Sequence, residues 1–161
     1  MEHREFSALY RQWYRPLLLY AFSLAGNLMA AEDLVQSTFV KALLSYRSGG
    51  SVQAWLMRVL HNEFVSNVRH DGRLSHMPPE EMTAESSDPL DQLLQREEQR
   101  RVYEAVLSLR AAYREVLLQS AVMGLQDEEI ARLLQTTPEN VRQLRCRARQ
   151  KIRRILKEEE P

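Results

Sequence analysis

The sequence predicts an all-α protein built from two small helical domains that are joined by a flexible acidic linker. Helix-forming residues dominate the 161-residue chain, whereas glycine (5) and proline (6) are scarce. Apolar residues recur at three- and four-residue spacings in both halves, as they do in amphipathic helices. The periodicity fails over residues 71–89, where prolines and acidic residues cluster, and the linker is placed at 73–89. We therefore expect domains at 1–72 and 90–161.

Three helices are predicted in the N-terminal half. The first covers about residues 4–25, although Pro16 interrupts it and is a candidate kink. The second begins near Ala30 and ends before a pair of glycines. Ser51 has a side chain suited to a helix N-cap, so a third helix should start there and run to about Arg69.

Four helices are predicted in the C-terminal half. Helical periodicity resumes near Leu90, with an inward-facing apolar stripe that includes Val102. A second helix is expected over 112–122, where a Met-Gly pair stops it. Two further helices should cover 127–134 and about 138–157, separated by a three-residue turn.

The last two predicted helices have the sequence of a helix-turn-helix. Asp127 is suited to cap the first of them, and Thr137 is suited to cap the second. Val141 and Leu144 should pack the second helix back onto the first, where Ala131 permits a close crossing. In this motif the second helix enters the major groove of DNA.

Charge is segregated along the chain, although the net charge is zero. Residues 137–157 carry eight basic residues against one acid, whereas 77–104 carry eight acids against three basic residues. A basic helix face favours DNA phosphates, and arginine, asparagine and glutamine side chains can pair with base edges. The alternative, which the sequence leaves open, is that these basic residues form a solvated helix end favoured by the helix dipole and bind no DNA. The residues predicted to face DNA are Asn140, Arg142, Gln143, Arg145, Arg147 and Arg149.

The sequence offers no residues for an enzyme. The four histidines are scattered without metal-ligand spacing, and the single cysteine, Cys146, excludes an internal disulfide. We expect no catalytic residue, metal or cofactor. Because no secretory signal or long apolar run is present, we expect a cytoplasmic protein without membrane insertion.

The N-terminal half also contains a mixture of aromatic and basic residues. Such a mixture can stack unpaired bases and hold their backbone. We interpret Trp55 as a core residue, whereas Tyr46 and Asn62 are equally open to a binding role. The basic members of the group are Arg47, Arg58, Arg69 and Arg73.

Nearly the whole chain resembles the extracytoplasmic-function (ECF, group IV) sigma factors of the sigma-70 superfamily. Residues 31–42 resemble the family's region 2.2, and residues 54–62 resemble its region for opening and reading the −10 promoter element. Residues 113–118, 127–134 and 140–149 resemble region 4. The order and spacing of these motifs, with an acidic linker between them, carry the resemblance.

The resemblance implies a sigma factor that binds core RNA polymerase and promoter DNA. The recognition helix would read the −35 element, and the partners would be the clamp helices and flap of polymerase, promoter DNA and an anti-sigma factor, without a small-molecule substrate. The implied polymerase-binding residues are Asp33, Leu34, Gln36, Ser37 and Phe39. The implied −10 residues, surrounding a flipped base, are Tyr46, Arg47, Val59, Asn62, Ser66 and Arg69.

The chain departs from the family pattern at three of the positions that are expected to contact promoter DNA. Ser66 stands where the family often has aspartate, and Asn140 and Gln143 replace a usual threonine and serine. These departures bear on promoter sequence and melting strength. The alternative function is a helix-turn-helix regulator whose N-terminal half senses a ligand or dimerises, in which case paired half-sites would be bound.

Overall fold

The computed structural model describes residues 2–47, 49–71, 91 and 93–159. Over these ranges the chain forms seven α-helices and one π-helical turn, without a strand. It divides into two compact units, Met1–Pro89 and Leu90–Pro161. The predicted all-α fold with two helical domains is therefore confirmed. The predicted linker at 73–89 and Arg73 lie outside the described residues.

Within its described residues, 2–47 and 49–71, unit 1 has three helices, with the middle one packed against both others. They are α1 (His3–Ala25), α2 (Leu28–Ser45) and α3 (Val52–Asp71). Their apolar stripes meet in a core whose largest fully buried side chains include Leu17, Tyr20, Phe39, Leu56, Met57 and Leu60. Burying an apolar side chain of this size stabilises the folded unit by about 1.5–3 kcal/mol.

The ends of α1 and α2 follow local chemistry. Pro16 does not end α1, which continues to Ala25 as one helix. The next residue adopts the left-handed conformation, and its N–H donates to the Phe22 carbonyl at 2.8 Å. The side chain of Asn27 accepts from the Ala30 N–H at 3.1 Å, so α2 begins at Leu28, two residues before the predicted start.

Unit 2 is organised around its last helix. From Glu97 onward, its described elements are α4 (Glu97–Leu107), α5 (Ala111–Leu117), a π-helical turn (Leu118–Val122), α6 (Asp127–Leu134) and α7 (Pro138–Glu158). The long α7 packs against α4, α5 and α6. This arrangement buries one side of α7 and leaves its opposite side exposed along its length.

Three details of unit 2 differ from the sequence predictions. Val102 was expected in the inward stripe, but it is 44% exposed, because α4 begins only at Glu97 and turns Tyr103 and Val106 inward. The helix predicted over 112–122 ends in a π-helical turn, closed by a hydrogen bond from the Met123 N–H to the carbonyl five residues earlier. Periodicity does not reveal such a widened turn.

Asp127 is also placed differently from its predicted role as a helix cap. The N-cap of α6 is Gln126, and the carboxylate of Glu129 accepts its backbone N–H at 3.2 Å. Asp127 is instead the first helical residue, and its carboxylate is free to bind a neighbouring helix.

Candidate nucleic-acid interface

The helices α6 and α7 form the predicted helix-turn-helix. Gln135 ends α6 in the left-handed conformation at φ 56°, and the next N–H donates to the Ala131 carbonyl at 2.9 Å. Thr137 then caps α7 by accepting the Asn140 N–H at 3.2 Å, with Pro138 in the first helical position. Both ends of the turn are thus fixed by hydrogen bonds, so α7 starts in a defined direction.

Buried small and branched side chains hold α7 against the rest of unit 2. Ile130 and Ala131 of α6 meet this core, to which α7 contributes Val141 and Ala148, and all four are 3% exposed or less. The predicted inward role of Val141 is confirmed, and Leu144 is half-buried. Between these inward positions, Arg142, Gln143, Cys146 and Arg147 are exposed.

Five of the six predicted DNA-facing residues are exposed, and they are Asn140, Arg142, Gln143, Arg147 and Arg149. Asn140 is partly engaged within the turn, since its side-chain amide donates to the Thr136 hydroxyl at 2.8 Å. Arg142 lies 3.3 Å from the carboxylate of Glu139, one helical turn earlier. The outer side of α7 therefore presents a continuous basic face with amide side chains near its N-terminal end.

Arg145 is the exception, because its side chain turns back toward α6. Its guanidinium makes two hydrogen bonds to the Asp127 carboxylate, one of them Nη2 to Oδ2 at 3.0 Å. Both side chains are about one-fifth exposed. The hydrogen bond and charge of Arg145 hold the pKa of Asp127 below its usual value. The expectation that Arg145 faces outward is thus corrected by an ion pair that sequence periodicity does not show.

A second contact between helices of unit 2 lies around Tyr113. Its ring is within cation–π distance of Arg110, at 5.0 Å, and of Lys151 on α7, at 5.4 Å. The hydrogen bond and charge of Arg110, with further positive charge from α7, lower the pKa of Tyr113. This contact joins α5 to α7.

In unit 1, four of the predicted −10 residues follow one stripe of α3. Val59, Asn62, Ser66 and Arg69 recur at intervals of three and four residues, so they share a helical face. Val59 is half-buried, whereas the other three are exposed. The stripe therefore passes from a partly apolar end to a polar end.

Tyr46 and Trp55 stand at the start of this stripe. Their rings meet edge to face with centroids 5.2 Å apart, which fixes the loop after α2 against the first turn of α3. Both side chains are half-buried, so Trp55 packs at the edge of the core, and its interpretation as a core residue stays a prediction. Its exposed part contributes an aromatic surface beside Val59 and Asn62.

The loop between α2 and α3 has a restricted backbone. Gly50 adopts φ 100°, a conformation that other residues rarely enter, although no atom lies within 4 Å of where a Cβ would stand. Ser51 then caps α3 as predicted, accepting the Ala54 N–H at 3.2 Å. Arg47, at the other side of the loop, is exposed. Backbone conformation, rather than packing, therefore requires the glycine.

The predicted polymerase-binding residues separate into two groups. Asp33 and Gln36 are exposed and Ser37 is half-buried, as a contact surface requires. Leu34 and Phe39 are only 3% and 1% exposed, so the expectation that their side chains contact a partner is corrected. They belong to the core, where the Phe39 ring lies 4.8 Å from that of Tyr10 and 6.2 Å from that of Phe6.

The outward side of α2 carries apolar residues that sequence reasoning missed. Leu44 is 77% exposed and Met29 is 73% exposed, and the stripe between them is also accessible. We call this surface the α2 outer face, and it comprises Met29, Asp33, Gln36, Val40, Leu43 and Leu44. These apolar residues could be assigned to the surface only once Leu34 and Phe39, on the opposite side of α2, were seen to be buried.

Neither a membrane span nor a metal cluster is found among the residues that the structure describes. No helix there combines the length and the apolar character needed to cross a bilayer. Likewise, no group of three or more histidine, cysteine, aspartate or glutamate side chains in these ranges is arranged to hold a metal ion.

Comparison with known proteins identifies both units. The family description of sigma-70 region 2 matches residues 9–74, and that of sigma-70 region 4 matches residues 99–152. RNA polymerase sigma factor YlaC of Bacillus subtilis is 32% identical over 96% of this chain and 94% of its own length. ECF RNA polymerase sigma factor SigE of Mycolicibacterium smegmatis is 29% identical, and the match covers 92% of this chain and 60% of SigE.

Solved structures are similar as well. The sigma factor RpoE from Bartonella quintana, crystallised with the anti-sigma factor NepR, matches with a TM-score of 0.67 and 25% identity, over 98% of this chain and 99% of that one. CnrH, in complex with the cytosolic domain of CnrY, shares the fold with a TM-score of 0.66 at 24% identity, over 99% and 92% of the two chains.

Proposed function

The chain belongs to the ECF group of the sigma-70 family, and we propose a specific division of promoter recognition between its two units. As an alternative sigma factor it directs transcription initiation. In our proposal unit 2 reads duplex DNA at the −35 element, and unit 1 binds core polymerase and the −10 element. The alternative, a regulator with a ligand-sensing N-terminal half, is not favoured, since region 2 occupies that half.

We propose that α7 reads the −35 element in the major groove. The observation that carries this proposal is the exposed basic face of a helix whose other side is buried and whose start is capped. Arg142 and Gln143 lie in the first half of α7, where recognition helices contact bases. Arg147 and Arg149 lie further along and suit phosphates.

We propose that the α3 stripe and the preceding loop hold an unpaired base of the −10 element. A flipped base needs a partly apolar pocket with polar groups for its edge. The half-buried pair of Tyr46 and Trp55 offers the aromatic surface, and Asn62 offers an amide donor and acceptor on the same side of α3. Arg47 and Arg69 would hold the backbone, and Ser66 would contribute a neutral hydroxyl.

We propose that the α2 outer face binds the clamp helices of core polymerase. Exposed apolar residues that share one helix face mark a protein-binding surface. Asp33 and Gln36 lie among these residues and would make the polar contacts. Leu34 and Phe39 would act indirectly, because their burial holds α2 in position.

Further partners follow from the family. We propose that unit 2 contacts the polymerase flap and that an anti-sigma factor occludes these surfaces, as the complex of the similar RpoE with NepR suggests. We further propose a cytoplasmic location, where core polymerase and promoters are found. The chain would contribute binding and DNA opening, and polymerase would perform the chemistry.

Genome-wide run-off transcription with purified core enzyme tests the proposal. We expect a set of transcripts that requires both the chain and core polymerase and that shares a −35 and a −10 sequence. Leu44→Glu should lose core binding while retaining −35 duplex binding, because it places a charge on the α2 outer face only. A footprint on palindromic half-sites without polymerase, together with no transcript, would contradict it.

A further inference from the structure

One carboxylate at the start of the helix-turn-helix is shared by two arginines of α7. Asp127 accepts both hydrogen bonds of the Arg145 guanidinium, and its Oδ2 also lies 3.8 Å from Nη1 of Arg142. These contacts cross from α6 to α7, and the Asp127–Arg145 pair joins residues 18 positions apart. Asp127 thus lies directly behind the residues that our proposal assigns to the −35 element.

The two arginines are held to different degrees. The side chain of Arg145 is 19% exposed, and its two terminal nitrogens are occupied by Asp127. The side chain of Arg142 is 51% exposed, and its two terminal nitrogens lie near different carboxylates, Nη1 near Asp127 and Nη2 near Glu139. The guanidinium plane of Arg142 is therefore oriented from two sides while much of it stays accessible.

This arrangement has a direct electrostatic consequence. The charge of Arg145 is neutralised by Asp127, so α7 offers DNA one fewer cation than its sequence contains. A guanidinium that is already oriented loses less rotational freedom when it pairs with a base. One carboxylate thereby lowers sequence-independent attraction and favours sequence-dependent contact.

We propose that Asp127 is a specificity-determining positioning residue, which withholds Arg145 from DNA and orients Arg142 toward a base edge. The inference rests on the proposed reading of the −35 element by α7. It assigns no DNA contact to Asp127 itself. In the absence of its carboxylate, Arg145 becomes available to a phosphate, and Arg142 keeps only Glu139 as an orienting partner.

Replacing the carboxylate by an amide of the same shape tests the proposal. Full-length Asp127→Asn would be titrated against a duplex carrying the preferred −35 element and against a scrambled duplex, over a range of salt concentrations. The released Arg145 should steepen the salt dependence on scrambled DNA by about 0.9 in log–log slope, the value for one more phosphate contact. The ratio of the two affinities should fall roughly tenfold.

Two further variants isolate the cause. Glu128→Gln removes the same charge from the next residue, which is exposed, so it controls for the charge change and should leave the affinity ratio unchanged. Adding Arg145→Gln to Asp127→Asn should return the salt slope to the wild-type value, since the released cation is then absent. The affinity ratio should remain low, because Arg142 still lacks Asp127.

The outcomes distinguish a residue that positions Arg142 and Arg145 from one that only stabilises the packing of α6 against α7. An equal loss of affinity for both duplexes, with an unchanged salt slope, would overturn the proposal. A residue that only stabilises the packing of α6 on α7 would affect binding to both sequences alike. If Asp127→Asn fails to fold, Asp127→Glu keeps the charge but moves it by one methylene. It should keep the slope and still lose discrimination, and wild-type discrimination would contradict us. If Arg142→Ala also leaves −35 binding intact, the proposed function fails instead.

Discussion

The two units present their proposed DNA-binding surfaces in different ways. In unit 2 the surface is one side of a single helix, fixed by the Thr137 cap and by ion pairs to α6. In unit 1 it combines a loop, an aromatic pair and one stripe of α3. Duplex DNA has a regular groove that accepts a rigid helix, whereas an unpaired base has no fixed position and needs a surface that surrounds it.

The largest expected effect is a loss of stability in unit 1 that leaves DNA binding by unit 2 intact. Phe39→Ala should lower the free energy of unfolding of unit 1 by about 3–5 kcal/mol, because it empties a fully buried aromatic site. Binding of the isolated −35 duplex by unit 2 should remain. Chemical denaturation and duplex titration of the full chain measure the two effects. Gln36→Ala, on the exposed side of α2, is the matched control, and a similar destabilisation by it would contradict this reading.

The next prediction concerns base reading in unit 2. Arg142→Ala should cost about 1–3 kcal/mol of binding free energy on the preferred −35 sequence and relax base choice at one position. Arg153→Ala removes the same charge from an exposed position nearer the end of α7 and should weaken all sequences equally. Binding to a library of −35 variants measures both. If Arg142→Ala weakened binding to all sequences equally, Arg142 would be a phosphate contact.

A third prediction addresses the loop of unit 1. Gly50→Ala should cost about 1–2 kcal/mol, because alanine disfavours the φ of 100°. The altered loop should reduce promoter opening while −35 duplex binding stays unchanged. Permanganate reactivity of −10 thymines in the polymerase complex measures opening. Ser45→Ala, at the exposed end of α2, is the control, and equal loss of opening there would point to a general effect.

The smallest effect is the pH dependence of the Asp127–Arg145 pair. Since the pKa of Asp127 is lower in the folded protein than in the unfolded chain, the pair's stabilisation is present above the unfolded value of about 4 and is complete roughly one pH unit higher. It is lost as the pH falls through the folded pKa. The pair is partly exposed, so its contribution should be about 1 kcal/mol or less. Melting temperatures of wild type and Asp127→Asn should therefore differ at pH 6, and the difference should shrink as the pH is lowered below about 4; a constant difference would exclude the mechanism.

Local features of the fold were predictable where short-range chemistry decides them. Thr137 and Ser51 cap their helices as the sequence predicts, because an N-cap bonds an N–H only three residues away. The inward position of Val141 follows from helical spacing alone. The start of α2 was predicted near Ala30, two residues late. The N-cap is Asn27, whose side chain accepts the Ala30 N–H, and the helix begins directly after the cap.

Errors arose where a residue's environment depends on distant parts of the chain. A family motif marks Leu34 and Phe39 as important but does not say whether they act from the surface or from beneath it. Only packing against α1 shows that the Phe39 ring meets Phe6 and Tyr10. For the same reason, the exposed stripe of the α2 outer face became visible only when the opposite side of α2 was known to be buried.

The sequence by itself determined the all-α class, the helix-turn-helix and the segregation of basic residues onto the last helix, because helix periodicity, capping and charge order are local properties of a chain. The tertiary structure decided which of those residues are available. Arg145 counts as one more basic residue in the sequence, but the approach of α6 to α7 brings Asp127 to it and removes its charge from the exposed face. Availability depends on neighbours that only folding brings together.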